Sequence, residues 1–261
     1  MTEENYNFEQ PPDNPEGKET GQGETEKQII AAEQPFRKSK ASYFTLFFLL
    51  IFWPFMSVAF VGDPSQMLRM LSVSPIVMVY LPTIIIQWLV FGLIWIAVWR
   101  EGTGLAGLGF KRIRFIDFAW AGAFLIVSNL LLTLLSVLLA QINLEIPGEI
   151  ELILPKTMAE RIIWVFLSLT AGVCEEAIFR GYLLTRIRIF GRFKNWIAPV
   201  FIASLAFGSG HAYQGAGGFI LITVYGVMFA LLFIKTKSLW PCIIAHFLQD
   251  AMALFYTGSG S

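Results

Sequence analysis

Charge, cysteine and histidine are all scarce in these 261 residues. Asp, Glu, Lys and Arg together make up 15%, against about 25% in a typical soluble domain. At 56% apolar residues, the chain has more apolar surface than a soluble core of this size needs. Acidic and basic residues are equal in number, 19 of each, so no basic excess points to a nucleic-acid partner. The two cysteines, Cys174 and Cys242, lie in apolar segments. They imply no disulfide framework and read as small buried hydrophobes. The polar leader before Tyr43 does not look like a cleavable signal peptide.

What the chain has instead is long apolar runs. Seven are evident: Tyr43–Val61, Ser74–Trp99, Phe115–Ile142, Ile162–Tyr182, Trp196–Ala212, Gly217–Ile234 and Leu239–Tyr256. A membrane-spanning helix needs roughly 20 apolar residues, and most of the seven qualify. The expected fold is all-α: a polytopic membrane bundle of about seven transmembrane helices. Residues 1–40, rich in Glu, Gln, Pro, Gly and Asn, cannot bury enough apolar surface to offset their ordering entropy and read as a disordered cytoplasmic tail. The membrane domain is expected over 41–257, with a flexible end at 258–261. Pro54 and Pro82 should kink their helices, whereas Pro75 and Pro241 sit near helix starts.

The basic residues segregate. In a seven-span arrangement, 16 of the 19 Lys and Arg residues fall on one side. The other side keeps only Arg69, Lys156 and Arg161, with an acidic loop holding Glu145, Glu149, Glu151 and Glu160. The positive-inside rule then predicts a cytoplasmic N-terminus and an external C-terminus.

Ionisable groups inside such runs are costly and mark function by default. Asp117 is close enough to a helix end to be interfacial. Glu175, Glu176 and Arg180 interrupt the fourth run, Asp250 the seventh, and the only two histidines, His211 and His246, lie in the fifth and seventh. Glu176 and Arg180 are four apart, in the favourable order for an intrahelical ion pair. Glu175 is rotated by about 100° from Glu176, so it must find another partner or carry a proton. That makes it the candidate general base. Phe207 and His211 are four apart, as are His246 and Asp250, so each pair should share a helix face; Asp250 then either gives His246 an acceptor that fixes its tautomer or is a second polar group aimed at the same point. His211 falls near the far end of its run, Glu175 and His246 nearer the cytoplasmic ends of theirs. A common site requires a deeper start for the fifth helix, for example at Pro199, or different boundaries.

Other motifs carry less. Gly102-Thr-Gly-Leu-Ala-Gly107 matches G-x-G-x-x-G but follows a membrane run, not a strand, and reads as a flexible interfacial loop. Ser168, Ser204 and Ser209 sit in no nucleophile elbow.

Glu175-Glu176-x-x-x-Arg180, Phe207-x-x-x-His211 and His246-x-x-x-Asp250, in this order and setting, resemble the three motifs of the CPBP intramembrane proteases. That family includes the type II CAAX prenyl endopeptidases and bacteriocin-processing and immunity-type bacterial proteins. The motif core spans 170–250. The resemblance implies a polar cavity open to the cytoplasm, residence in a bacterial plasma membrane, and a peptide or protein substrate presented at the lipid bilayer. It implies that Glu175 and His211 activate water, that His246 and the residue at 250 stabilise the oxyanion, and that Glu176, Arg180 and Phe207 support the site. CAAX-processing members usually carry Asn where this chain has Asp250. An ionised aspartate cannot donate to an oxyanion, so Asp250 would need a proton or would orient His246.

No cofactor is expected on this reading. A zinc variant, with the metal at Glu175, His211 and His246, is the nearest alternative. A non-catalytic binding or immunity protein on the same scaffold, and a transporter with a buried proton relay, are the competitors from other classes.

Overall fold

The computed structural model describes residues 37–59, 74–144 and 151–255, all within one compact unit, Arg37–Ser261. The tail expected over 1–40 and the end expected over 258–261 lie largely or wholly outside these residues, as does the acidic loop around Glu145 and Glu149. Of the described residues 84% are helical, and none is in a strand.

Among the described residues seven main helices follow one another. They are α1 (Lys40–Ala59), α2 (Ile76–Glu101), α3 (Phe115–Gln141), α4 (Met158–Phe190), α5 (Ile197–Ser209), α6 (Gly215–Thr236) and α7 (Trp240–Ala251). Five are long and apolar enough to cross a membrane; α5 and α7 are shorter. The inner windows of α4 and α6 are 50% buried, against 22% for α1 and α2 and 17% for α3. So α4 and α6 form the centre, and α1–α3 turn most of their apolar surface outward, as lipid-facing helices do.

Contacts between helix ends reproduce the alternation read from charge. Arg37 N–H, before α1, donates to Glu101 O at the end of α2 (3.1 Å). Arg186 near the end of α4 pairs with Glu101 at 2.7 Å and donates to Gly107 O at 2.9 Å. Leu239 N–H, before α7, donates to Gly109 O (3.0 Å), and Lys237 lies 5.5 Å from the Trp196 ring before α5. The start of α1, the ends of α2, α4 and α6, and the starts of α5 and α7 thus share one face. The glycine-rich loop is not free there. It winds into a 3₁₀ turn, Leu105–Leu108, and Arg186 clamps it.

Three boundaries differ from expectation. α4 runs on to Phe190 rather than stopping near Tyr182. α5 spans only Ile197–Ser209, about 20 Å at 1.5 Å per residue, because the chain leaves the helix at Gly210. α7 ends at Ala251 and tightens into a 3₁₀ turn, Met252–Phe255. These shifts account for the depth of the site. α5 starts at Ile197, not deeper: Trp196 before it meets Arg188 at 4.4 Å, on the part of α4 that projects past the glycine loop. A short helix beginning there delivers Phe207 and His211 to the level of Arg180.

The prolines act through π-helical turns. Pro54 follows the π segment Phe48–Phe52, and Pro82 follows Ile76–Tyr80. A proline ring clashes with the carbonyl four residues back, and a widened turn moves that carbonyl aside. A third π segment, Glu176–Leu184, occupies the middle of α4. Asp117 lies in the first turn of α3, where its buried carboxylate accepts from Arg114 N–H at 2.7 Å and caps the helix.

Two glycines set helix contacts. At Gly172 a Cβ would stand 3.0 Å from Ile243 O, so α4 and α7 approach backbone to backbone, as small residues permit in membrane bundles. At Gly181 a Cβ would lie 2.7 Å from Leu108 O. Alanine in a helix interior usually gains about 0.5–1 kcal/mol over glycine, but overpacking costs about 1–3 kcal/mol, and here the obstacle is backbone. Gly181→Ala should therefore lower the melting temperature in detergent. Gly92→Ala, with nothing within 4 Å, should leave it level or raise it. Equal effects at both positions would refute the close approach.

Candidate active site

The π segment of α4 begins at Glu176, so the two adjacent glutamates straddle a change of helical pitch. Glu176 is fully buried and Arg180 is 2% exposed. Arg180 Nη1 lies 3.0 Å from Glu176 Oε1, the intrahelical pair expected from spacing. The guanidinium lies over two rings, Phe207 of α5 at 4.3 Å and Phe229 of α6 at 4.8 Å. Two π faces and one carboxylate thus surround a charge that hydrocarbon would not accept.

Glu176 has a second partner that spacing did not indicate. His246 Nδ1 sits 2.7 Å from the same Oε1. Next to a carboxylate, Nδ1 carries a proton and donates it, and Nε2 faces the reaction. Asp250, four residues along α7, shares the helix face of this histidine, as the spacing predicts. Its Oδ2 is 3.6 Å from the opposite nitrogen, Nε2, beyond hydrogen-bond reach. Glu176, not Asp250, therefore orients His246. The reason is packing: the close α4–α7 contact at Gly172 brings Glu176 to the ring. The His246 imidazole also stacks on Phe229, with centroids 5.4 Å apart.

Glu175 finds its partner on α2. Gln87 Nε2–H donates to Glu175 Oε1 at 2.6 Å. Glu175 Oε2 is buried without a hydrogen bond and lies 3.8 Å from His246 Nε2. Sequence reading missed Gln87. The available signal was that it is the one amide or charged residue between Ser74 and Trp99, and amides in membrane helices bond across helices.

His211 does not share a regular helix face with Phe207, as its spacing suggested. α5 has already ended, and His211 sits in a turn before the 3₁₀ segment Ala212–Gln214. Its Nδ1 is nonetheless 3.3 Å from Phe207 O, and its ring centroid is 5.4 Å from that of Phe207. The His246 ring meets the same Phe207 edge-on at 6.4 Å. Phe207 is thus the shared wall for both imidazoles and the guanidinium.

Asp250 lies on the open side, its side chain 34% accessible where that of Glu176 is wholly buried. Its backbone oxygen accepts from Trp164 Nε1–H at 2.9 Å, and neighbouring Gln249 accepts from Asn129 of α3 at 2.9 Å. Among the described residues, no group of three or more His, Cys, Asp or Glu side chains is arranged to hold a metal ion. Cys174 and Cys242 are buried, free thiols, as expected of small apolar fillers.

Fold and site together define a class: an integral membrane protein with a carboxylate–histidine cluster inside an all-helical bundle. Residues 157–252 match the family described as type II CAAX prenyl endopeptidase Rce1-like, which supports a CPBP family protease. The match runs from Thr157, the N-cap of α4, to Met252, just past α7. It contains every candidate residue named above except Gln87. No curated protein and no solved structure matches the chain.

Proposed function

We propose that the protein is an intramembrane endopeptidase of the CAAX-protease type that hydrolyses a peptide bond with an activated water and forms no covalent intermediate. One observation carries this. Glu175 has one oxygen held by Gln87 and the other directed at His246 Nε2, 3.8 Å away, with Asp250 Oδ2 3.6 Å from that same nitrogen. Such separations are too long for direct hydrogen bonds and suit a single bridging oxygen. A water there would lose its proton to Glu175.

The histidines take the remaining roles. His211 Nδ1 faces a carbonyl, so it donates there and leaves Nε2 as a lone pair able to assist the base. His246 acts as an imidazolium: Nδ1–H is held by Glu176, and Nε2–H donates to the oxyanion that develops as water adds to the scissile carbonyl. Asp250 stands beside it at the accessible edge. The substrate is a peptide or protein at the membrane; a prenylated CAAX peptide is the first to test. Purified protein should cleave a quenched fluorescent, farnesylated CAAX peptide. Cleavage of the unprenylated peptide at the same rate would instead favour a substrate class without the lipid.

Metal dependence has its own test. If side chains alone activate water, protein treated with a strong chelator and dialysed should keep its activity and contain well under one equivalent of zinc. Loss on chelation with recovery on adding zinc would overturn the metal-free route and make Glu175, His211 and His246 ligands.

The orientation proposed from charge is a cytoplasmic N-terminus; a bacterial plasma membrane is proposed as the location on the family resemblance alone. Cysteines introduced at Gly191, between α4 and α5, and at Lys156, before α4, should label from opposite faces, with Gly191 cytoplasmic. Labelling of both from one face would refute the seven-helix crossing.

A further inference from the structure

We propose that Gln87 is a positioning residue for Glu175: its amide holds one carboxylate oxygen and so directs the transferred proton to the other. The proposal rests on the hydrolytic function above and adds to it a residue on α2, outside the matched segment 157–252. The bond from Gln87 Nε2–H to Glu175 Oε1 is short, 2.6 Å. The next residue, Trp88, donates from Nε1 to Thr170 Oγ1 at 3.3 Å, so the same turn of α2 is tied twice to α4. A polar side chain in a membrane helix often serves only as helix glue. Here, however, the partner is the candidate base itself.

The chemistry follows from which oxygen is engaged. An oxygen that already accepts an N–H is a poor place for a second proton. Glu175 Oε2, the oxygen without a hydrogen bond, faces His246 Nε2. In the forward step a water O–H bond breaks, its proton passes to Oε2, and the hydroxide oxygen bonds to the scissile carbonyl carbon. The proton then goes to the leaving amine as the C–N bond breaks, restoring the carboxylate. Through both states Oε1 remains an acceptor, first as carboxylate and then as the carbonyl of the acid. Gln87 can hold it throughout. The charged groups facing Glu175 are Glu176 and Arg180 on its own helix and His246 and Asp250 on α7.

The test separates the bond from the reaction. Gln87→Met keeps the length and apolar volume but removes the amide. Infrared difference spectra should assign the protonated Glu175 carboxyl band by its loss in Glu175→Gln. In Gln87→Met that band should move to higher wavenumber, because the carbonyl oxygen loses its donor. On the farnesylated peptide, kcat should fall about 10- to 100-fold, the scale of a misplaced catalytic group, with KM within about twofold and the folded yield unchanged. If Gln87→Met does not fold, Gln87→Asn, whose amide is one methylene short, carries both readouts. An unshifted band overturns the bond. A shifted band with unchanged kcat overturns the positioning role while leaving Glu175 as base. Cleavage that survives Glu175→Gln overturns the hydrolytic function itself, and this proposal with it.

Discussion

Glu175→Gln should give a folded protein that cleaves at least about 100-fold more slowly than wild type, the low end of what a positioned general base contributes. The substitution changes neither size nor shape. The substituted amide keeps an oxygen able to accept from Gln87, so the α2–α4 tie at 2.6 Å has a substitute. Glu175 makes no ion pair within its own helix. It contacts His246 only at 3.8 Å, so no buried charge is stranded by its neutralisation. What disappears is the proton acceptor on the side facing His246. The comparison is kcat on the farnesylated peptide, beside the melting temperature of the same preparation. Near-normal cleavage by this variant removes Glu175 from the mechanism. A collapse of folded yield would instead make it a structural group.

Glu176→Gln should fail in the opposite way, by loss of folded protein. One oxygen of Glu176 serves Arg180 at 3.0 Å and His246 Nδ1 at 2.7 Å, and all three groups are buried. Removing one member of a buried pair costs about 3–5 kcal/mol in soluble proteins, a large part of a total of about 5–15 kcal/mol. An amide oxygen can still accept from His246, so the stranded group is Arg180, whose remaining neighbours are ring faces. That gives a rescue. Adding Arg180→Met to Glu176→Gln removes the stranded charge and keeps a side chain suited to Phe207 and Phe229. The double variant should recover folded yield in detergent while cleavage stays impaired, since His246 has lost its charged acceptor. If Glu176→Gln alone is as stable as wild type, or if the double variant is worse, the pair is not what holds this part of the bundle.

The contrast between two adjacent glutamates is legible in the order of residues along one helix. Four-residue spacing joins Glu176 to Arg180, and one step of rotation separates Glu175 from that pair. The apolar runs and the one-sided placement of Lys and Arg likewise announce seven membrane elements in alternating directions. Both patterns are local. They depend on helical rise and rotation, and on whether a side chain can stay in hydrocarbon.

Spacing alone does not decide what orients His246. Asp250 shares its helix face, yet Glu176 from another helix is the closer acceptor. Spacing also places His211 on a helix that has already ended, and it leaves Glu175 without a partner, because Gln87 lies 88 positions away.

The all-helical membrane class and the internal Glu176–Arg180 pair can be read from residue order, because each follows from apolar length and periodicity along a single helix. The rest depends on how the helices pack. That packing sets Glu176 against His246, Gln87 against Glu175, and Phe207 as the common wall of both imidazoles. Those choices depend on how closely two helices approach and at what height. Both are set by contacts that helical periodicity does not encode: the absence of a side chain at Gly172, the widened turns of α4, and the early end of α5.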